Sequence, residues 1–86
     1  MKIKDGYLLT NVGDSYIVMA VGSTMHLNGL ITINETGAFI WNCLKTDTDE
    51  ASIVRSLCAE FDTDEHTAGE DVHTFVQTLQ KAGFLE

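Results

Sequence analysis

Three histidines and two cysteines are the side chains of this 86-residue sequence best suited to hold a metal or to act as nucleophile and base. His66 and His73 are seven positions apart on roughly one face of a stretch with helical periodicity, which separates them by about 10 Å along the axis. A shared zinc needs each nitrogen at ~2.1 Å, so both are expected to be solvated surface residues, as is His26. Cys43 and Cys58 lack the close Cys-x-x-Cys or Cys/His spacing of a metal site and are expected to be small buried hydrophobes. Asp62, Asp64 and Glu65 invite comparison with a calcium loop. Counting from Asp62, Thr67 and His73 stand where that loop requires glycine and glutamate, so helix capping and a solvated acidic face are expected instead.

Ser15 follows Gly13-Asp14, as the phosphopantetheine-bearing serine of a carrier protein follows aspartate, but here it lies between two β-rich runs rather than before a helix. The glycines match neither a phosphate-cradling loop nor a dinucleotide fingerprint. Phe39 and Trp41 fall in a run that is apolar around most of a helical circumference, which means burial. No nucleophile is paired with a base, so the chain is expected not to be an enzyme and to need no cofactor and no metal.

The elements that position these residues are small in number. Eighty-six residues hold one core, so a single domain over 1–86 is expected, and 44% hydrophobic against 21% charged residues is enough to fold it. The first third is rich in β-branched and aromatic residues. Gly6 to Val12 and Ser15 to Val21 read as a hairpin closed at Gly13-Asp14, and Gly29 to Ile33 as a short third strand after a loop from Gly22 to Asn28. The remainder is helical. Asn34 caps a first helix running to about Leu44, and a second carries Ile53, Val54, Leu57, Cys58 and Phe61 after the Asp47-Thr48-Asp49 cluster. The third is expected to start from Thr63 as cap, to carry Ala68, Val72, Phe75, Val76 and Leu79, and to end at Gly83 with Phe84 folding back. The order β-β-β-α-α-α gives an α+β fold with the helices on one face of the sheet.

Charge narrows the partners. Thirteen acidic against five basic side chains give a net charge of −8, and residues 47 to 71 hold nine of the acids against Arg55 alone. From 64 to 81, Asp64, Glu65, Glu70 and Asp71 face one cation, Lys81. Such a helix is repelled from a phosphate backbone, so no nucleic-acid partner is expected, and a basic peptide or protein surface is attracted. Paired lysines at the N-terminus precede no apolar run, and no stretch approaches the ~20 apolar residues of a membrane span. With two cysteines that do not form a disulfide framework, a cytoplasmic location without membrane attachment is expected.

The segment Leu27-Asn28-Gly29-Leu30-Ile31-Thr32-Ile33-Asn34-Glu35-Thr36-Gly37-Ala38-Phe39-Ile40-Trp41 resembles the signature of the PqqD family, in which a strand passes through Leu-Asn or Ile-Asn into a helix reading x-x-Gly/Ala-x-x-Ile/Leu-Trp. Gly6-Tyr7-Leu8, Ile53 to Phe61, Asp71-Val72 with Phe75, Val76 and Leu79, and the closing Gly83-Phe84-Leu85 match in order. The loop Lys45-Thr46-Asp47-Thr48-Asp49 departs from the branch that serves pyrroloquinoline quinone synthesis, lacking its usual Asp-Gly. The resemblance therefore bears on fold and binding mode more than on pathway. It implies a winged helix-turn-helix-like fold, the RiPP recognition element (RiPP: ribosomally made, post-translationally modified peptide). It further implies that the leader region of a precursor peptide adds to the third strand and rests against the third helix, where a radical S-adenosylmethionine enzyme, a leader peptidase or another modifying enzyme acts on it. Carried onto this chain, the peptide contacts are Leu30, Ile31, Thr32 and Ile33 on the strand and Val72, Phe75, Val76 and Leu79 on the helix. The same helix positions have the spacing of a plain core stripe, so most of Val72, Val76 and Leu79 are expected in the core and Phe75 in the groove as well.

The residues by themselves favour the same partner. A short strand bounded by Gly29 and Asn34 leaves backbone groups that an extended peptide can satisfy, with Ile31 and Ile33 facing the core and Leu30 and Thr32 the other side. A winged-helix DNA-binding regulator is the rival with the same elements, opposed by the charge, and a generic protein-protein adaptor is a second.

Overall fold

A computed structural model describes residues 1–20 and 31–86, and the expected order of elements holds: β1 (Tyr7–Val12), β2 (Ser15–Ala20), β3 (Ile31–Ile33), α1 (Glu35–Cys43), α2 (Glu50–Glu60) and α3 (Glu65–Ala82). The loop from Gly22 to Asn28, His26, Gly29 and Leu30 lie outside the described residues. The strands form an antiparallel sheet in the order β1-β2-β3. Val12 pairs with Ser15 across a two-residue turn, in which Gly13 has φ 62° while Asp14 has negative φ. This is a type II′ turn, whose first central position favours glycine and whose twist matches that of the flanking strands.

Alternation divides the sheet into two faces. Leu9, Val18 and Ile31 lie in one cross-strand row and Tyr16 and Ile33 in the next, all turned to the helices. Leu8, Val12, Met19 and Thr32 are on the opposite face and exposed, and Thr10 and Ile17 share that face half-buried.

Each helix has its own start signal. Asn34 Oδ1 accepts from the Gly37 N–H at 2.8 Å, Asp49 Oδ1 from Ser52 N–H at 2.7 Å and Asp64 Oδ1 from Thr67 N–H at 2.7 Å. The cap of α3 is therefore Asp64 and not Thr63, whose N–H bonds the Phe61 carbonyl two residues earlier. Aspartate is the stronger cap of the two and its charge meets the positive end of the helix dipole. Gly83, at φ 83°, ends α3, with the Phe84 N–H bonding the Leu79 carbonyl at 2.9 Å. That six-to-one bond throws Phe84 back onto the helix it follows.

The core lies between the sheet and the helices. Trp41, Phe84, Ile40, Leu44, Ile53, Leu57, Leu79, Val18 and Val72 are its largest fully buried side chains, each worth ~1.5–3 kcal/mol of burial. Phe84 stands edge-on to Tyr7 and Trp41 at centroid separations of 4.6 and 5.7 Å. Backbone bonds from Lys4 N–H to the Phe84 carbonyl and from Glu86 N–H to the Lys2 carbonyl, with an Ile3–Leu85 bridge, tie the two chain ends beside that aromatic group. Cys43 and Cys58 are free and half-buried rather than fully buried, and burial raises the Cys43 thiol above its ordinary pKa. No helix among the described residues is long and apolar enough to cross a membrane.

Candidate binding groove

The type II′ hairpin sets the hydrogen-bonding phase of the whole sheet. Val12 and Ser15, flanking a two-residue turn, are a hydrogen-bonded pair, and such pairs recur at every second residue, so Ser15, Ile17 and Met19 direct their backbone groups to β1. Tyr16 and Val18 then direct theirs to β3, where their partners are Ile33 and Ile31. Thr32, between those two, has its N–H and C=O turned to the far side of β3, where no strand pairs among the described residues. Its side chain is exposed. One residue of backbone thus presents a donor and an acceptor to an incoming strand.

Beside this edge a groove of about 330 Å³ runs between the start of α1 and the middle of α3. Asn34, Thr36, Gly37 and Ile40 form one wall, and Glu70, Asp71, Thr74, Phe75 and Thr78 the other. The volume is at the small end of ligand pockets, ~300–1,000 Å³, and has room for one or two side chains. Gly37 lets α1 and α3 approach: a Cβ there would meet Phe75 Cε1 at 3.0 Å and Ile33 Cβ at 3.2 Å. Phe75, half-buried, thus has its ring edge close against the α1 backbone at Gly37 and also lines the groove.

The charge of the lining is one-sided. Glu70 and Asp71 are its only ionisable residues among those described. His66 Nε2 stands 2.6 Å from Glu70 Oε1, whereas Asp71 belongs to none of the ion pairs among the described residues. His73, also exposed, leans the other way, its Nδ1 3.1 Å from Glu50 Oε1 on α2. Two of the caps have carboxyls below their ordinary pKa, Asp49 through the Ser52 backbone N–H and Asp64 through that of Thr67.

Of the residues expected to contact a peptide, Thr32 and Phe75 stand at the edge and in the groove, Ile33 is buried beneath Gly37, and Ile31 is half-buried on the core face. Leu30 lies outside the described residues. Val72, Val76 and Leu79 are fully buried and do not line the groove. Their place is under Phe75, holding α3 to the core. Sequence reasoning missed Glu70, Asp71, Thr74 and Thr78, the stripe adjacent to the apolar one on the same helix. The signal was present in their spacing at i, i+1, i+4 and i+8, and in a glycine inside the first helix that only a close approach explains.

The family model described as Coenzyme PQQ synthesis protein D (PqqD) matches residues 16–85. Among solved structures, the chain is similar to one of TbiB1 in complex with the TbiA(beta) leader peptide, with 25% sequence identity and a TM-score of 0.76 over 100% of this chain and 95% of that one. No curated protein matches.

Proposed function

This chain belongs to the PqqD family, and from that premise we propose that it binds the leader region of a ribosomally made precursor peptide, as an added strand along β3 with side chains in the adjoining α1–α3 groove, and presents it to a modifying enzyme. The observation that carries the reading is the conjunction of an outward-facing Thr32 backbone with an apolar-floored groove next to it. A structure of similar fold was solved with a leader peptide bound.

Magnitudes assign the work between edge and groove. Two backbone hydrogen bonds contribute ~1–3 kcal/mol together, less than the ~4–15 kcal/mol that association costs. Affinity must therefore come from side chains seated against Phe75, and the Thr32 bonds fix register and direction. A residue pairing with Thr32 turns its side chain to the outer face, and its two neighbours turn theirs to the groove. The chain itself performs no chemistry in this reading, and the bound peptide is the substrate of a radical S-adenosylmethionine enzyme, a leader peptidase or another modifying enzyme. Two free thiols suit the reducing cytoplasm in which such a precursor is made.

Thr32→Pro tests the reading. Proline removes the outward N–H while Ile31 and Ile33 keep their bonds to β2, a placement that edge strands tolerate. Titration of precursor peptides encoded beside this gene should show saturable binding to the unmodified chain and at least a tenfold loss in the variant, with its circular dichroism unchanged. Equal binding by both would contradict strand addition at this edge.

A further inference from the structure

We infer that the groove selects precursor peptides carrying a lysine or arginine within the stretch it seats, with Asp71 as the specificity-determining residue and Glu70 as a lesser contributor. This inference rests on the peptide-binding reading above and adds the chemical class of the side chain that is recognised. The occupant is an extended peptide with an apolar residue on Phe75 and a basic residue close to it in sequence.

Charge complementarity on a built groove is the ground for this. Among the described residues, the walls hold two carboxylates and no cation. They belong to adjacent residues on the second turn of α3, and the stripe continues through Thr74 and Thr78, neutral groups that can accept from an ammonium or guanidinium but cannot repel it. The positive end of the α1 dipole also opens toward the groove and favours an anion. It amounts to about half an elementary charge, against two full carboxylates, and Asn34 Oδ1 already takes up the Gly37 N–H. The carboxylates therefore dominate. Glu70 is already engaged by the His66 ring, whereas Asp71 has no ion-pair partner among the described residues, so Asp71 holds the larger part of the attraction.

The chain as a whole reinforces the local field. At net charge −8 it repels an acidic peptide at long range, and the steering charge and the seated charge have the same sign. A lysine or arginine is also suited to this geometry because its aliphatic stem can lie along the Phe75 ring while the head reaches Asp71.

A phage-displayed library of random dodecapeptides, selected on the intact chain, provides the probe. The enriched peptides are expected to share one lysine or arginine near an apolar residue. Replacing that basic residue by glutamine should weaken binding about fivefold at low salt, the scale of a partly exposed ion pair. Asp71→Asn should remove most of the difference between the two peptides, and Asp71→Lys should favour a third peptide with glutamate at that position. Amide shifts of labelled protein locate each peptide. If peptides move Thr32, Thr74 and Phe75 but bind equally with lysine, glutamine or glutamate, the charge selection is wrong and the peptide-binding reading stands. If the selected peptides shift other regions, or none is enriched, the peptide-binding reading fails and the selection with it. Because Asp71 is exposed, both variants are expected to keep the unmodified circular dichroism and melting temperature within a few degrees.

Discussion

The sheet's core face is finished differently at its two flanks. On the β1 side the chain closes the fold with its own ends: Phe84 packs edge-on to Tyr7 and Trp41, and the Ile3–Leu85 bridge adds strand-like pairing. On the β3 side Phe75 packs on Gly37, but no segment among the described residues covers it, and the Thr32 backbone faces outward. Both flanks set an aromatic ring where a helix meets the sheet. One ring is 1% exposed and saturated with partners, and the other is half-buried beside 330 Å³ of open groove. Where the chain supplies a covering segment the aromatic becomes core, and where it does not the aromatic is available to a partner.

The largest effect should come from breaking the closed flank. Phe84→Ala removes a fully buried ring and should cost about 3–5 kcal/mol, enough to leave a domain of this size largely unfolded at room temperature, as read by urea denaturation. Phe75→Ala should cost less than half of that, about 1–2 kcal/mol, because the ring is only partly buried. Its larger consequence is for binding, where peptide affinity should fall at least tenfold in a chain that still folds. If the two variants were equally destabilised, or if Phe75→Ala bound peptide normally, the distinction between a core aromatic and a groove aromatic would collapse.

How much of this contrast could be read in the sequence varies with the physics involved. Element order, the Asn34 cap, the Gly83 stop and the return of Phe84 follow from local rules, and the structure has them all. Choosing Thr63 over Asp64 as the α3 cap came from two adjacent residues with the same capping chemistry, which only the hydrogen-bond pattern separates. Val72, Val76 and Leu79 were ambiguous for a deeper reason, since a peptide-facing stripe and a core-facing stripe have the same period and differ by one helical position. Glu70, Asp71, Thr74 and Thr78 occupy that neighbouring position. The outward direction of Thr32, by contrast, was legible in principle, because the two-residue turn at Gly13-Asp14 fixes the phase of every later strand.

A smaller effect sharpens the comparison through the helix starts. Asp49 and Asp64 titrate below their ordinary value in the folded chain, so the unfolded chain binds protons more readily as pH falls. Their contribution is fully present above the unfolded carboxylate pKa, about 4, and is lost as pH drops through the lower folded value. Asp49→Asn with Asp64→Asn keeps both caps but removes the titration, so melting temperature against pH should fall less steeply below pH 4 than in the unmodified chain. Neither aspartate lines the groove, and peptide affinity at neutral pH should be unchanged by the pair.

Hydrogen exchange at a single amide, Thr32 N–H, tests the central claim most directly. In the free chain it should exchange rapidly while the N–H groups of Ile31 and Ile33, bonded to β2, are protected. On saturation with a bound leader peptide, Thr32 should become protected by at least tenfold. Rapid exchange at Thr32 in the saturated complex would contradict strand addition at β3, as would protection already present in the free chain.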